Sequence, residues 1–277
     1  MPRRNNCGSY AAQTGWRADI PTDLLADPGI LVTFILIGFA AQLIDGALGM
    51  AFGLISSTLL IATGVPPAAA SAGVHTAETF TTAVSGISHV AHRNVDWRLF
   101  FRIAFPGVIG GVIGAYLLAY LHKEVSTDFA KPFVLVYLTA LGAYLLYRGV
   151  MHKHTERQPK VVSPLGLFGG FLDASGGGGW GPIVTSNLLV QGSNPRKTIG
   201  TVNTAEFFLT VTISATFIAT LGWAAFTSAT LGLLIGGVCA APFGAWIAKK
   251  VNADLLLTFV GSVLTLTSAY GLYRALS

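Results

Sequence analysis

Four acids stand inside apolar stretches of this chain: Asp45, Glu78, Asp173 and Glu206. Asp173 and Glu206 each lie 128 residues after Asp45 and Glu78, so the two pairs have equal spacing. Ionisable groups at membrane depth are costly and mark proton, ion or substrate pathways. Two roles fit them. They accept protons or hold a coupling cation, or they hold the free N–H groups of a broken helix in the manner of N-caps. The aspartates precede glycine-rich breaks, Asp45–Gly53 and Asp173–Gly181, which suits the cap. The glutamates sit mid-helix, which suits coupling or gating. A carboxylate beside an anion repels it unless protonated, so an anion site here carries a proton linkage.

The residues around the acids recur too. His75 at i−3 and Thr82 at i+4 share the helical face of Glu78, and Asn203 and Thr210 do so for Glu206. Thr76 and Thr204 repeat as well. The stripe predicts a coupling or gating set of Asp45, His75, Glu78, Asp173 and Glu206. His75 is the one member that titrates near neutral pH; as a lone histidine among apolar residues it also reads as a hydrogen-bond partner. The predicted substrate set is Gly49, Thr76, Ser175, Gly176, Gly177, Gly178, Gly179, Asn203 and Thr204. Half-helix N-termini at such breaks offer N–H groups and a positive dipole end to an anion. Close helix packing is the plainer reading of the glycines.

Ser175 admits a rival, a membrane hydrolase using His75 or His89 and Asp173. The run lacks the strand-turn-helix context of a nucleophile elbow, and a catalytic triad is single whereas this polar set occurs twice. No GxxxxGK[ST] run is present for nucleotide hydrolysis. Cys7 and Cys239 have no metal-ligand spacing, so no metal or other cofactor is expected.

What must position these residues is a membrane bundle. Charged residues make up 10% of the chain, against about 25% in soluble domains. Too little polar surface remains to cover a soluble body. The 33 glycines suit helices that approach closely in lipid. The formal charge of +5 lies in short loops, as the positive-inside rule requires, and forms no basic stripe for nucleic acid. Arg196 and Lys197 read as topological anchors of this kind. Apolar segments fall at 30–46, 49–64, 68–92, 98–121, 130–148, 164–175, 179–191, 197–222, 224–248 and 254–275. Residues 1–29 form a polar tail in which no signal peptide is read.

The linker 149–163 separates two related halves, 30–148 and 164–277. Without gaps, 45–82 matches 173–210 at 13 of 38 positions, against roughly one in twelve from ordinary residue usage. Loop charges predict inversion. Arg93 and Arg98 fill one loop whose counterpart near 222–224 has no basic residue, and Arg196 and Lys197 answer a loop at 65–67 that has none. The expected fold is therefore an all-α polytopic membrane protein of two inverted repeats, with interrupted or re-entrant helices and eight to ten hydrophobic segments. That is the architecture of many secondary transporters.

The sequence resembles the TauE/SafE family of sulfite-exporter-like permeases. The resemblance rests on Gly38–Gly53, Pro67 and the His75-Thr-Ala-Glu78 helix, then on Gly169–Pro182 and Gly200–Glu206. It covers nearly everything from 30 to 275. It implies export of a small sulfur oxyanion, sulfite or an organosulfonate, across a bacterial inner membrane by a multi-pass protein. Partners are then the anion, the bilayer and protons. A passive anion channel or an importer remains the alternative within that fold.

Overall fold

The computed structural model describes residues 28–48, 50, 52–124, 127–151, 158–222, 228–248 and 253–276. These residues are helical throughout their length apart from short turns. Residues 1–27 of the polar tail and 152–157 of the linker lie outside them, as does Gly49. The helices are α1 (Pro28–Leu48), α2 (Phe52–Ala62), α3 (Pro67–Ala91), α4 (Trp97–Glu124), α5 (Thr127–Met151), α6 (Ser163–Gly176), α7 (Ser186–Val190), α8 (Pro195–Leu221), α9 (Ser228–Ala248) and α10 (Ala253–Leu276). A π-helical turn, Gly181–Thr185, leads into α7.

Local chemistry sets the boundaries. Pro67 and Pro195 occupy the first turns of α3 and α8, where a missing N–H costs nothing. Asn194 accepts from the Lys197 N–H at 3.1 Å and starts α8. Asp96 accepts from the N–H groups of Arg98 and Leu99 at 3.0 and 3.1 Å and starts α4. α4 and α8 are each long and apolar enough to cross a membrane. α1 is 21 residues long, longer than its apolar segment 30–46, because Pro28 and Gly29 extend it at one end and Ala47 and Leu48 at the other.

The helices pack through glycine. On α4, a Cβ at Gly110 would stand 2.0 Å from the Leu167 carbonyl oxygen of α6. On α9, a Cβ at Gly236 would stand 2.0 Å from the Ile35 carbonyl oxygen of α1. Small residues let backbones touch where lipid supplies no hydrophobic drive.

Residue contacts fix the helix directions. Ile103 meets Gly166 and Gly107 meets Gly170, so α4 and α6 run parallel. Leu31 meets Gly232 and Ile35 meets Gly236, so α1 and α9 do too. Gly73 meets Thr230 and Gly237 meets Thr81, which sets α3 parallel to α9. By contrast, Thr76 meets Ser214, Gly86 meets Thr204 and Asn94 meets Arg196, so α3 and α8 are antiparallel. α5 and α10 are antiparallel as well, with Leu135 beside Gly271 and Leu146 beside Gly261. Two pairs, α3 with α8 and α5 with α10, thus face each other in opposite directions.

Gly110→Val should force α4 and α6 apart and lower stability by about 1–3 kcal/mol or more, the cost of overpacking. Leu36→Ala, on the exposed face of α1, should stay within about 0.5 kcal/mol. Thermal melts of the purified protein in one detergent compare them.

Candidate functional site

The two breaks meet at the centre of the bundle. A Cβ at Gly178 would lie 2.5 Å from the Gly53 carbonyl carbon and 2.7 Å from the Leu54 nitrogen. The backbones therefore cross in direct contact. Gly177, Gly178 and Gly179 have φ of 76°, 136° and 154°, a left-handed run that side chains resist. The chain needs that run to leave α6 and re-enter a helix within four residues. The N–H groups of Gly177 and Gly178 turn back to the Asp173 carbonyl.

Each restart is capped by an acid. Asp173 Oδ1 accepts from the Trp180 N–H at 2.8 Å. Asp45 Oδ1 receives the Phe52 N–H at 3.4 Å. Glu78, on α3, accepts from the Gly53 N–H. The N–H groups of Phe52, Gly53 and Trp180 are thus held, in this conformation, by the chain's own carboxylates, and those of Gly177 and Gly178 by the Asp173 main-chain carbonyl.

His75 joins the halves. Its Nε2 lies 3.0 Å from Asp173 Oδ2, and both residues are buried. Its Nδ1 lies 2.7 Å from the Ser71 carbonyl, which can only accept. Nδ1 therefore carries a hydrogen, and one further proton lies between Nε2 and the carboxylate. Both ring nitrogens are spent, and none reaches Ser175, whose hydroxyl donates to Phe171 O in its own helix at 2.7 Å. His89 is distant, beside Asn94. The hydrolase arrangement is absent among the described residues.

The remaining candidates surround this centre. Thr76 donates to Ala72 O at 2.8 Å and approaches Ser214 at 3.5 Å. Thr204 donates to Gly200 O at 2.7 Å. Asn203, buried at the position equivalent to His75, has an Oδ1 with no hydrogen-bond partner among the described residues. Glu78 Oε2 has none either. Glu206 is buried on α8, close enough to Glu78, Asp45 and Asp173 to interact with all three.

Several residues at the crossing carry no signal in the acid pattern. Ser57 donates to the Gly177 carbonyl, and Ser71 donates to Ala174 O at 2.8 Å. Tyr137 of α5 donates to Gly178 O at 3.2 Å, and its ring fills the space a Cβ on Gly176 or Gly179 would need. The hydroxyls of Ser56, Thr58 and Thr185 are buried without partners among the described residues. A repeated pair, Ser57-Thr58 answered by Thr185-Ser186, was the signal available for the hydroxyls. Tyr137 has none.

Gly178→Ala should separate the breaks and combine a positive-φ cost of about 1–2 kcal/mol with an overpacking cost of about 1–3 kcal/mol. Gly64→Ala, at φ 99° with open space around it, should show the first cost alone. Melting temperatures of the two variants report the difference.

The comparisons with known proteins agree with this picture. Residues 34–271 match the family of the sulfite exporter TauE/SafE. The chain is 43% identical over 248 residues to the probable membrane transporter protein YtnM of Bacillus subtilis (strain 168), covering 86% of this chain and 81% of that one. No solved structure matches. A helical bundle with apolar outer faces, glycine seams and a buried polar crossing is what such a membrane protein requires, and the chain belongs to the sulfite exporter TauE/SafE family.

Proposed function

We propose that this protein is a multi-pass secondary transporter of the inner membrane that exports a small sulfur oxyanion, sulfite or an organosulfonate, by alternating access coupled to protons. The family supports the transport class and the sulfur anion. The observation that carries the mechanism is the capping of both half-helix N-termini by carboxylates, those of Asp173 and Glu78 buried and that of Asp45 part-buried.

Residues 30–148 and 164–277 act as two inverted repeats joined by the linker 149–163, behind a tail of 1–29. Opposed directions of counterpart helices, α3 against α8 and α5 against α10, support that reading. The breaks form the substrate site, and each cap is a built-in competitor for the substrate. An oxyanion that takes the Trp180, Phe52 or Gly53 N–H must displace a carboxylate, and two negative charges in that space repel. Protonation of the carboxylate removes the repulsion and weakens the cap together. Proton and anion then occupy the site jointly and travel in the same direction. Ser56, Thr58 and Thr185 supply unpartnered hydroxyls that can donate to the substrate's remaining oxygens. The proton between His75 and Asp173 ties the halves, and its loss loosens that tie.

Purified protein in liposomes loaded with sulfite should release it faster than protein-free liposomes with the same load do. Release should accelerate when the loaded side is the more acidic. Release equal under both gradients overturns proton coupling and leaves transport standing. Release no faster than from protein-free liposomes overturns sulfite as substrate.

Asp173→Asn keeps an oxygen for the Trp180 N–H but cannot share the dyad proton. His75→Asn makes the position match Asn203. Both variants should fold, with loss of at most about 1–3 kcal/mol for the altered buried hydrogen bond, and both should transport without response to the pH gradient. A wild-type gradient response in both variants places the coupling proton elsewhere.

A further inference from the structure

We propose that the groove between α3, α4 and α8 binds one anionic phospholipid, its acyl chains in the groove and its phosphate at Arg98 and Arg102. The proposal stands apart from the transport site and does not depend on the substrate.

The groove encloses about 800 Å³. Its walls are Ile87 and Val90 of α3, Phe101 and Phe105 of α4, and Phe208 of α8. A lipid-facing surface is normally a rough convex face over which chains exchange. This one is a slot with stiff walls. Phe100 packs edge-on against Trp97, Phe101 and Phe208 at centroid distances of 5.3, 5.1 and 5.6 Å. Such aromatic pairs hold one another in fixed geometry, so the slot exists before anything enters it.

Its dimensions fit one leaflet. Along α4 the lining runs from Trp97 to Val108. That is about 16 Å at 1.5 Å per residue, half of a hydrocarbon core about 30 Å thick. Trp97 stands at the open end, the depth at which tryptophan sits at membrane interfaces.

The charge at that end chooses the headgroup. Arg98 and Arg102 are exposed, one turn apart on the face of α4 next to Trp97 and Phe101. Their guanidinium groups make no hydrogen bond or ion pair with a described residue. Arg93 is exposed beside them. The neighbouring cations are already occupied: Arg196 donates to Asn94 Oδ1 at 2.6 Å, and Lys197 donates to Arg93 O at 2.7 Å. The acid at this end, Asp96, is used as the cap of α4. Two free arginines therefore face the headgroup layer, where each attracts anionic lipid by about 1 kcal/mol. The positive-inside rule puts this end at the cytoplasm. The equivalent loop of the second half, from 222 to 228, has no Lys or Arg, so the charged mouth is single.

The floor explains what the lipid does. Gly86 of α3 and Thr204 of α8 line it and touch one another. Thr82, also on the floor, donates to the Glu78 carbonyl. A seated lipid braces the seam between α3 and α8, next to the buried acids.

Delipidated protein in dodecyl maltoside is titrated with dioleoyl phosphatidylglycerol or dioleoyl phosphatidylcholine, and bound lipid is counted by native mass spectrometry. One phosphatidylglycerol should bind about thirtyfold more tightly than phosphatidylcholine, the effect of two arginines, and should raise the melting temperature. Arg98→Gln with Arg102→Gln should abolish the preference. Ala83→Trp, which fills the slot, should reduce binding of both lipids, and Ala91→Trp at the exposed mouth does the same if the deeper variant fails to fold. Equal binding of the two lipids, unchanged in the arginine variant, overturns the proposal. So does a dimer with no retained lipid, cross-linked through Phe101→Cys, which assigns the groove to a second copy.

Discussion

A broken helix inside a bilayer leaves backbone N–H groups with no water to meet them, and every other feature of this structure follows from how that is solved. Unsatisfied groups in hydrocarbon cost several kcal/mol each. Here the breaks satisfy each other and themselves. Asp45, Glu78 and Asp173 cap the restarting helices, and Ser57, Ser71 and Tyr137 donate to the carbonyls that the second break exposes. The crossing of Gly53 over Gly178 brings these groups within reach of one another. Glycine at both positions suits that crossing: a Cβ on Gly178 would run into the facing backbone, and one on Gly53 would meet the Glu78 carboxylate at 2.7 Å.

The same solution sets the electrostatics. Four acids gather around the crossing, with His75 as the cationic partner near them among the described residues. Three buried carboxylates, Glu78, Asp173 and Glu206, with the part-buried Asp45 beside them, cannot all be charged without matching cations. The site therefore holds protons by necessity, and the hydrogen-bond count at His75 and Asp173 locates one of them. In the proposed cycle this makes the caps and the proton sites the same groups, so opening a cap for substrate and loading a proton are one event.

Much of this was legible in the sequence for a physical reason. Acids in apolar segments are rare enough that each needs a purpose, and the repeat at equal spacing separated design from bias. The capping reading of Asp45 and Asp173 came from their place before glycine runs, and the observed hydrogen bonds have that form. Loop charge bears on helix direction because charge is placed by the membrane rather than by packing, and the inversion it predicts belongs to the proposed reading. Tyr137 was invisible because it belongs to α5, has no polar neighbour in sequence and gains meaning only when α5 lies over Gly176 and Gly179. The competition between caps and substrate was equally hidden, since sequence names donors and acceptors but not which acceptor arrives first. α1 runs two residues past its apolar segment at each end, through Pro28-Gly29 and Ala47-Leu48.

The duplication is what gives the asymmetry its force. Two halves with matching acids would place equal demands on both breaks, and neither would differ in its response to a proton. His75 and Asn203 occupy equivalent positions, yet only His75 can share a proton with the opposing aspartate. The second break also carries the longer glycine run and the π-helical turn, Gly181–Thr185, an irregularity concentrated at functional sites. The half that supplies the looser backbone is thus the half whose cap is tied across the interface by a removable proton. In the proposed cycle the scaffold of the two halves provides two related conformations, and this one unmatched dyad determines which of them a proton favours.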